Sequence, residues 1–467
     1  MFNFTATYTD KYQLTMSQVY FLKGQKDTRV VFDYFFRNLP FNGGYAIFAG
    51  LEDLISILGN LHFDSQDLDF LREQGFHHEF LKYLEKFRFN GNIYSSAEGD
   101  LVFPVRPMIQ VEADIIEAQI IETLLLNILN FQTLIATKAS RMRLAAEGRS
   151  LIDFGLRRAQ GPGGYYASRA SFIGGFDGTS NVLAGRDYGI PVSGTMAHSF
   201  IESYDDELSA FSHFAEVNPH NCVLVVDTYD TLKSGLPNAI AVAKKMEDSG
   251  LRLNGIRLDS GDLAYLAKES RKRLDSAGLH YVKIAVSNQL DEYIIKSLLE
   301  QQAPIDSFGV GTSLVTGHPD GALDGVYKLS YANGKPRIKL SENIGKITLP
   351  HRKQVYRIID NDDRFIGADA ITMVDEHDIE IIYHPLYPLK SLSLIKFLKE
   401  PLLHKVMGNG RRVNKPESLK DIAQYSRNRL KKLPDEFKRF DNPHIYKVGI
   451  SKKLQSERDQ LIKKYKN

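Results

Sequence analysis

NCVLVVDTYDT, residues 221–231, decides how this chain is to be read. An apolar run stops there at Asp227, and the design recurs three times downstream. LNGIRLDSGDL (253–263) stops at Asp259, YVKIAVSNQLD (281–291) at Ser287, and DSFGVGTSLVTG (306–317) near Gly311. Short continuous apolar runs predict strands buried on both faces, as in parallel sheets. Helical patterns separate them. In DLAYLAKESRKRLDSAG (262–278), Leu263, Leu266, Ala267 and Leu274 share one face, and Gly278 can end the helix. DEYIIKSLLEQQ (291–302) reads the same way. Strands alternating with helices at a spacing of about 24 to 32 residues predict a parallel sheet or an α/β barrel. Every one of these strands ends in small, acidic or glycine residues. In parallel α/β folds that carboxyl edge is where ligands bind.

Upstream, TDKYQLTMSQVYFLKG (9–24) reads as a helix with Thr9 as N-cap and Gly24 near its end, and TRVVFDYFFRNLP (28–40) as a strand. IIEAQIIETLLLNILNFQTLIATKASRMRLAA (115–146) reads as a long, mostly buried helical stretch. Its charge-free part, Thr123 to Thr137, is shorter than the roughly 20 residues a membrane span needs. Downstream of Asp320 the pattern turns to hairpins, with a turn at Asn333-Gly334 in GVYKLSYANGKPRIKL (325–340). These segments suggest a β-rich portion that folds back on the N-terminal part.

The chain has 467 residues, 43% hydrophobic and 25% charged, with a net charge of +2, so no global charge signals nucleic acid. From His404 to Asn467 there are 18 Lys+Arg against 7 Asp+Glu, which reads as a solvated basic surface. Cys222 is the only cysteine, so neither an intrachain disulfide nor a cysteine-built metal site is available. It opens an apolar run and is expected in the core. Asp10 and Lys11 stand where a secretory signal would be apolar, so the expected compartment is the cytoplasm.

Four segments carry residues suited to chemistry. In GIRLDSGDL, Arg257, Asp259 and Asp262 cross a strand-to-helix turn. Carboxylates there can hold a ribose diol or hydrated Mg²⁺, and the guanidinium a carboxylate or phosphate; equally, Ser260 or Asp262 can be a helix cap. Gly309, Gly311 and Thr312 follow a strand, where backbone N–H groups can cradle phosphate, although glycine turns are common. In LIDFGLRRAQGPGGYYASRA (151–170), Arg157 and Arg158 follow a strand carrying Phe154, a pairing suited to a flat anionic ring or to a surface ion pair beside a core aromatic. His198, in GIPVSGTMAHSFIESY (189–204), can be a nucleophile, a general base or a packed side chain.

Taken in order, TDKYQLTM (9–16), IDFGLRRAQGP (152–162), GGFDGTSNVLAGRDYGIPVSGTMAHSF (174–200), GIRLDSGDL (255–263) and FGVGTSLVT (308–316) resemble the nicotinate phosphoribosyltransferases. The resemblance runs from residue 9 to at least Arg357 and extends to NPHIYKVGIS (442–451). It implies an α/β fold: an irregular α/β barrel of the type II phosphoribosyltransferases at 136–340, an N-terminal α/β domain at 1–135, and a C-terminal portion at 341–467 packing partly on the N-terminal domain. It implies a homodimer with shared active sites, joining nicotinate to the ribose phosphate of PRPP with ATP hydrolysis and Mg²⁺. Tyr12, reaching from the second subunit, and Phe154 would sandwich the pyridine ring. Arg257 would meet its carboxylate, Arg157 the phosphate or pyrophosphate, and Asp259 the ribose hydroxyls. Ser287, Asn288, Gly309, Gly311 and Thr312 would hold the 5′-phosphate. Thr179 and Ser180 would lie against the substrate, and His198 would be the histidine phosphorylated by ATP.

Relatives that use nicotinamide carry an aspartate where this chain has Ser180. A carboxylate there would repel nicotinate, whereas a hydroxyl can donate to it. A quinolinate-using relative would need more basic groups. A catalytically silent sensor is expected to lose His198, Asp259 or the glycine turn, and all are present. A generic barrel aldolase explains the strand rhythm but not the ordered motifs. One departure is visible: the family's proline-glycine turn reads Pro350-His351 here.

Overall fold

The computed structural model describes residues 4–342, 344–387 and 389–466. The chain divides into two compact units, one of residues up to Thr137 together with those from Ala322 onward, the other Lys138–Gly321. The sequence instead suggests three parts, with boundaries at 135/136 and 340/341. Long-range strand pairing accounts for the difference: Gly325–Ala332 lies antiparallel along Arg29–Phe36, so the chain's last third shares a core with its first.

The contiguous unit is built on six parallel strands in the spatial order Gly178–Thr179, Ser150–Asp153, Ser307–Val310, Lys283–Ser287, Gly255–Leu258, Val223–Val225. This is the sheet of an irregular half-barrel. The four strands anticipated downstream of residue 220 all form and pair in register, Val225 with Arg257, Ala285 with Arg257 and Ser287 with Gly309. Leu224, Val225, Ile256, Leu258, Ile284, Val286, Phe308 and Val310 are fully buried, as two-sided strands require. Cys222 is buried too, and burial pushes its thiol up to about 11. Leu263–Ser276 and Glu292–Glu300 are the intervening helices, capped by the carboxylates of Asp262 and Asp291. The helix-cap reading of Asp262 therefore holds. Gly278, at φ +73°, follows the first of them.

In the discontinuous unit, seven antiparallel strands run from Lys335–Pro336 through Gly325–Ala332, Arg29–Phe36, Ile109–Asp114, Asn92–Ser95 and His404–Gly408 to Arg411–Arg412. A six-stranded mixed sheet uses residues 353–451 alone. The hairpin turn at Asn333-Gly334 has both residues at positive φ, 50° and 73°, as a two-residue hairpin loop demands. The first helix starts at Lys11 with Asp10, not Thr9, at its N-cap. The Thr9 hydroxyl instead donates to the Ile120 carbonyl, and Asp10 accepts from Thr123. The long stretch forms two helices, Ile115–Ile120 and Glu122–Ala145. No helix among the described residues is long and apolar enough to cross a membrane.

The discontinuous unit also seals a charge network. Arg357 joins Asp369 at 2.9 Å and Asp100 at 3.2 Å, Arg429 joins Asp100 at 2.7 Å, and Arg106 joins Asp369 at 3.0 Å. The Tyr446 hydroxyl donates to Asp369. Burial would raise the Asp100 carboxyl, but the guanidiniums of Arg357, Arg429 and Arg106 hold it below its ordinary value.

His351 adopts φ +71°, the left-handed conformation that a glycine enters freely. A histidine thus stands here in a conformation that suits glycine. The fully buried Lys353 ammonium binds the carbonyls of Leu349, Pro350 and His351 while pairing with Asp33 at 2.8 Å, and the His351 ring meets Glu457 at 3.1 Å.

Candidate active site

The carboxyl edge of the six-stranded sheet opens into a polar cavity of about 240 Å³. Phe154, Arg157, Asp259, Ser287, Asn288, Gly309, Gly311 and Thr312 line it together with Arg158 and Gln289. Nine residues singled out from sequence are therefore gathered from four different strand ends. Arg157 and Arg158 occupy a short 3-10 turn and are exposed, with no ion pair to either among the described residues, so the surface ion-pair reading of the double arginine fails.

The two glycines do different work. A Cβ on Gly309 would lie 2.3 Å from the Phe154 ring, so the absence of a side chain there lets the ring pack against the strand. At Gly311 a Cβ would meet nothing closer than 3.4 Å, so packing does not explain it. Asn288 and Gln289 both take positive φ, 85° and 50°. Two consecutive side-chain-bearing residues in that region cost about 1–3 kcal/mol each, and such strain gathers at functional sites. No sequence signal marked Gln289.

Asp259 sits at the centre. Its Oδ1 accepts from the Ser287 hydroxyl, its amide donates to Asp227 Oδ2 at 2.8 Å, and its Oδ2 lies 3.6 Å from His198 Nε2. Asp227, at the end of the strand Val223–Val225, also accepts from Ser260, while its Oδ1 is buried without a hydrogen-bond partner. His198 begins the short helix His198–Glu202, with its Nδ1 3.0 Å from the Thr228 hydroxyl.

Arg257 is turned towards the segment before His198: Nη1 donates to the Thr195 hydroxyl at 2.7 Å and Nη2 to the Met196 carbonyl at 3.2 Å. Burial lowers its guanidinium below the ordinary value, Asp259 and Asp227 oppose that, and Arg157 reinforces it. These four charges therefore share one field.

Thr179 and Ser180 stand outside the cavity lining. Thr179 is fully buried, its hydroxyl donating to Asp153 at 2.7 Å, and the Ser180 amide donates to the Asp153 carbonyl at 2.8 Å. Asp153 collects that hydroxyl, the Ser168 hydroxyl and the Gly155 amide, and burial raises its carboxyl. The residue thus pins the turn that carries Phe154. Tyr12 belongs to the discontinuous unit and is about half exposed, with its phenol raised by burial and by Glu122. Glu122 also acts on Lys328, whose ammonium is lowered by burial and by Lys339 and Arg37. Sequence reading singled out none of these three cations.

Among the described residues no group of three or more His, Cys, Asp or Glu is arranged to hold a metal ion. The donor set fits Mg²⁺ in its usual manner, through one or two carboxylates and substrate phosphates, with Asp259 and the unpartnered Oδ1 of Asp227 the groups available.

Comparison with known proteins agrees along the whole chain. The sequence profiles of the nicotinate phosphoribosyltransferase N-terminal domain, family and C-terminal domain match residues 7–130, 149–361 and 352–458. A nicotinate phosphoribosyltransferase of Bacillus subtilis (strain 168) is 43% identical, covering 98% of this chain and 96% of its own. That of Dictyostelium discoideum is 38% identical, covering 96% and 87%. The crystal structure of human nicotinic acid phosphoribosyltransferase superposes with a TM-score of 0.87 at 31% identity, covering 97% of this chain and 99% of that one. A nicotinate-nucleotide pyrophosphorylase structure from Pyrococcus furiosus gives 0.72 at 26% identity, covering 91% and 95%. A parallel half-barrel in one unit, with an antiparallel and a mixed sheet in the other, is the fold of the type II phosphoribosyltransferase class. Within that class, the chain belongs to the nicotinate phosphoribosyltransferase family.

Proposed function

We propose that this protein transfers the ribose 5-phosphate of PRPP to the ring nitrogen of nicotinate, releasing pyrophosphate, with ATP hydrolysed through a phosphohistidine at His198. It would serve as the first step of NAD salvage from nicotinate in the cytoplasm. The observation that carries this reading is the convergence, at one sheet edge, of a cavity with two unpaired arginines, a ring seated on a glycine strand, and a carboxylate 3.6 Å from a histidine.

The pyridine nitrogen attacks C1 of the ribose as pyrophosphate departs, and the transition state resembles an oxocarbenium ion. Phe154 on one ring face, with Tyr12 from a second copy on the other, fixes the attack line, an orientation benefit. Arg257 offers a cation to the nicotinate carboxylate. Arg157 and Arg158 meet the charge growing on the leaving group. Asp259 holds the ribose hydroxyls, and Ser287, Asn288, Gly309, Gly311 and Thr312 surround the 5′-phosphate. Bound Mg²⁺ would supply further neutralisation of pyrophosphate. Ser180 keeps a carboxylate away from the substrate's own, which favours the acid over the amide.

The test is a product assay with purified protein, PRPP and Mg²⁺, offering nicotinate and nicotinamide separately, each with and without ATP. Nicotinate mononucleotide boosted by ATP is expected. Product from nicotinamide alone would overturn the substrate assignment, and no product from either would make the chain a silent ligand-sensing relative.

A further inference from the structure

Thr228 lies outside every motif that suggested chemistry, yet among the described residues its hydroxyl is the only hydrogen-bond partner of His198. It occupies the turn after the strand Val223–Val225, and that turn is pinned at both ends. On one side Asp227 is tied to the Asp259 amide and the Ser260 hydroxyl. On the other, the Asp230 carboxylate caps the amides of Leu232 and Lys233, and Gly235 packs so closely that a Cβ would fall 1.9 Å from the Val226 carbonyl oxygen. A hydroxyl on such a turn is a fixed point.

The two imidazole nitrogens are thereby made unequal. Nδ1 is 3.0 Å from Thr228 Oγ1, within hydrogen-bond range. Nε2 is 3.6 Å from Asp259 Oδ2, beyond it, and the other oxygen of that carboxylate is taken by Ser287. The His198 side chain is 36% exposed, so a nucleotide phosphate can reach it.

We propose that Thr228 is the positioning residue for His198, holding Nδ1 so that the ring presents Nε2 as the nitrogen that takes the phosphoryl group. The role rests on the phosphohistidine reading above. In the nucleophilic tautomer the proton sits on Nδ1 and is donated to Thr228 Oγ1, leaving the Nε2 lone pair free. That pair forms the Nε2–P bond to the γ-phosphorus of ATP as the P–O bond to ADP breaks, and its electrons stay on the ADP oxygen. The Nδ1 proton is retained, so the ring gains positive charge, which the Asp259 carboxylate 3.6 Å away offsets.

The experiment incubates the full-length enzyme with ATP and Mg²⁺ and measures the initial rate of phosphohistidine formation and the nitrogen bearing the phosphoryl group, the latter by NMR. Wild type should carry it on Nε2. Thr228→Val, checked for an unchanged unfolding midpoint, should be phosphorylated about tenfold more slowly and lose its preference for Nε2, because the lost interaction is one hydrogen bond. Thr228→Ser should restore both rate and position, which a merely structural role for the threonine methyl would not allow. Phosphorylation on Nδ1 in wild type, or a Thr228→Val enzyme matching wild type in rate and position, would overturn the role of Thr228 while leaving the phosphohistidine intact. A wild-type enzyme never phosphorylated would remove the phosphohistidine itself and this role with it.

Discussion

Two regions of this molecule collect arginines and aspartates, and they put them to opposite uses. In the discontinuous unit, Arg106, Arg357, Asp100 and Asp369 are at most 1% exposed, and each guanidinium has a carboxylate within about 3 Å. At the half-barrel edge, Arg157 and Arg158 face solvent with no acidic partner among the described residues, and Nη1 and Nη2 of Arg257 rest on a hydroxyl and a carbonyl. Residue type therefore does not mark a binding site. What marks it is a guanidinium left without a carboxylate where a ligand can reach it.

The comparison can be broken by treating each region as the other. Arg357→Met should lower stability by about 3–5 kcal/mol, the effect of leaving buried charges unpaired, with kcat of the remaining folded protein unchanged; denaturant unfolding with a parallel assay checks both. The same network predicts an acid limb. The Asp100 carboxyl is held below its unfolded value, so its stabilisation is complete above the ordinary carboxylate range, about pH 4, and is lost as pH falls through the folded value. Asp259→Asn should do the reverse, reducing kcat/KM at least about a hundredfold with little change in unfolding midpoint. If it destabilised as strongly as Arg357→Met, the edge would be a second structural network. Ser180→Asp should shift preference towards nicotinamide by about tenfold, measured as a ratio of kcat/KM values; an unchanged ratio would move acid selectivity to Arg257. The smallest effect is expected at a turn outside both charge clusters: His351→Gly should change stability by no more than about 1 kcal/mol, because relief of the left-handed backbone offsets loss of the Glu457 contact.

Much of the half-barrel was legible because its signals are local. Apolar runs ending at Asp227, Asp259, Ser287 and Gly311 need only their neighbours to be recognised, and all four end at the same edge. What stayed hidden depends on distant partners. The unit boundary at Gly321 follows from Val30 pairing with Ala332, which no window of sequence contains. Thr9 looked like a cap until Ile120 took its hydroxyl. Thr179 looked like a substrate contact because it sits in a matching motif, yet its hydroxyl is spent on Asp153 beneath the site. Gln289 and Thr228 matter through backbone strain and through one hydrogen bond, and neither has a compositional trace.

The pairing of Arg29–Phe36 with Gly325–Ala332 also sets an order on how the protein is made. During synthesis the apolar strand Arg29–Phe36 emerges early, but its partner along one edge emerges only after the whole half-barrel has left the ribosome. The contiguous unit can complete itself first, while that exposed edge waits as a template for wrong partners. The interval between those two strands is therefore the stretch of the chain's life in which a chaperone has most to protect.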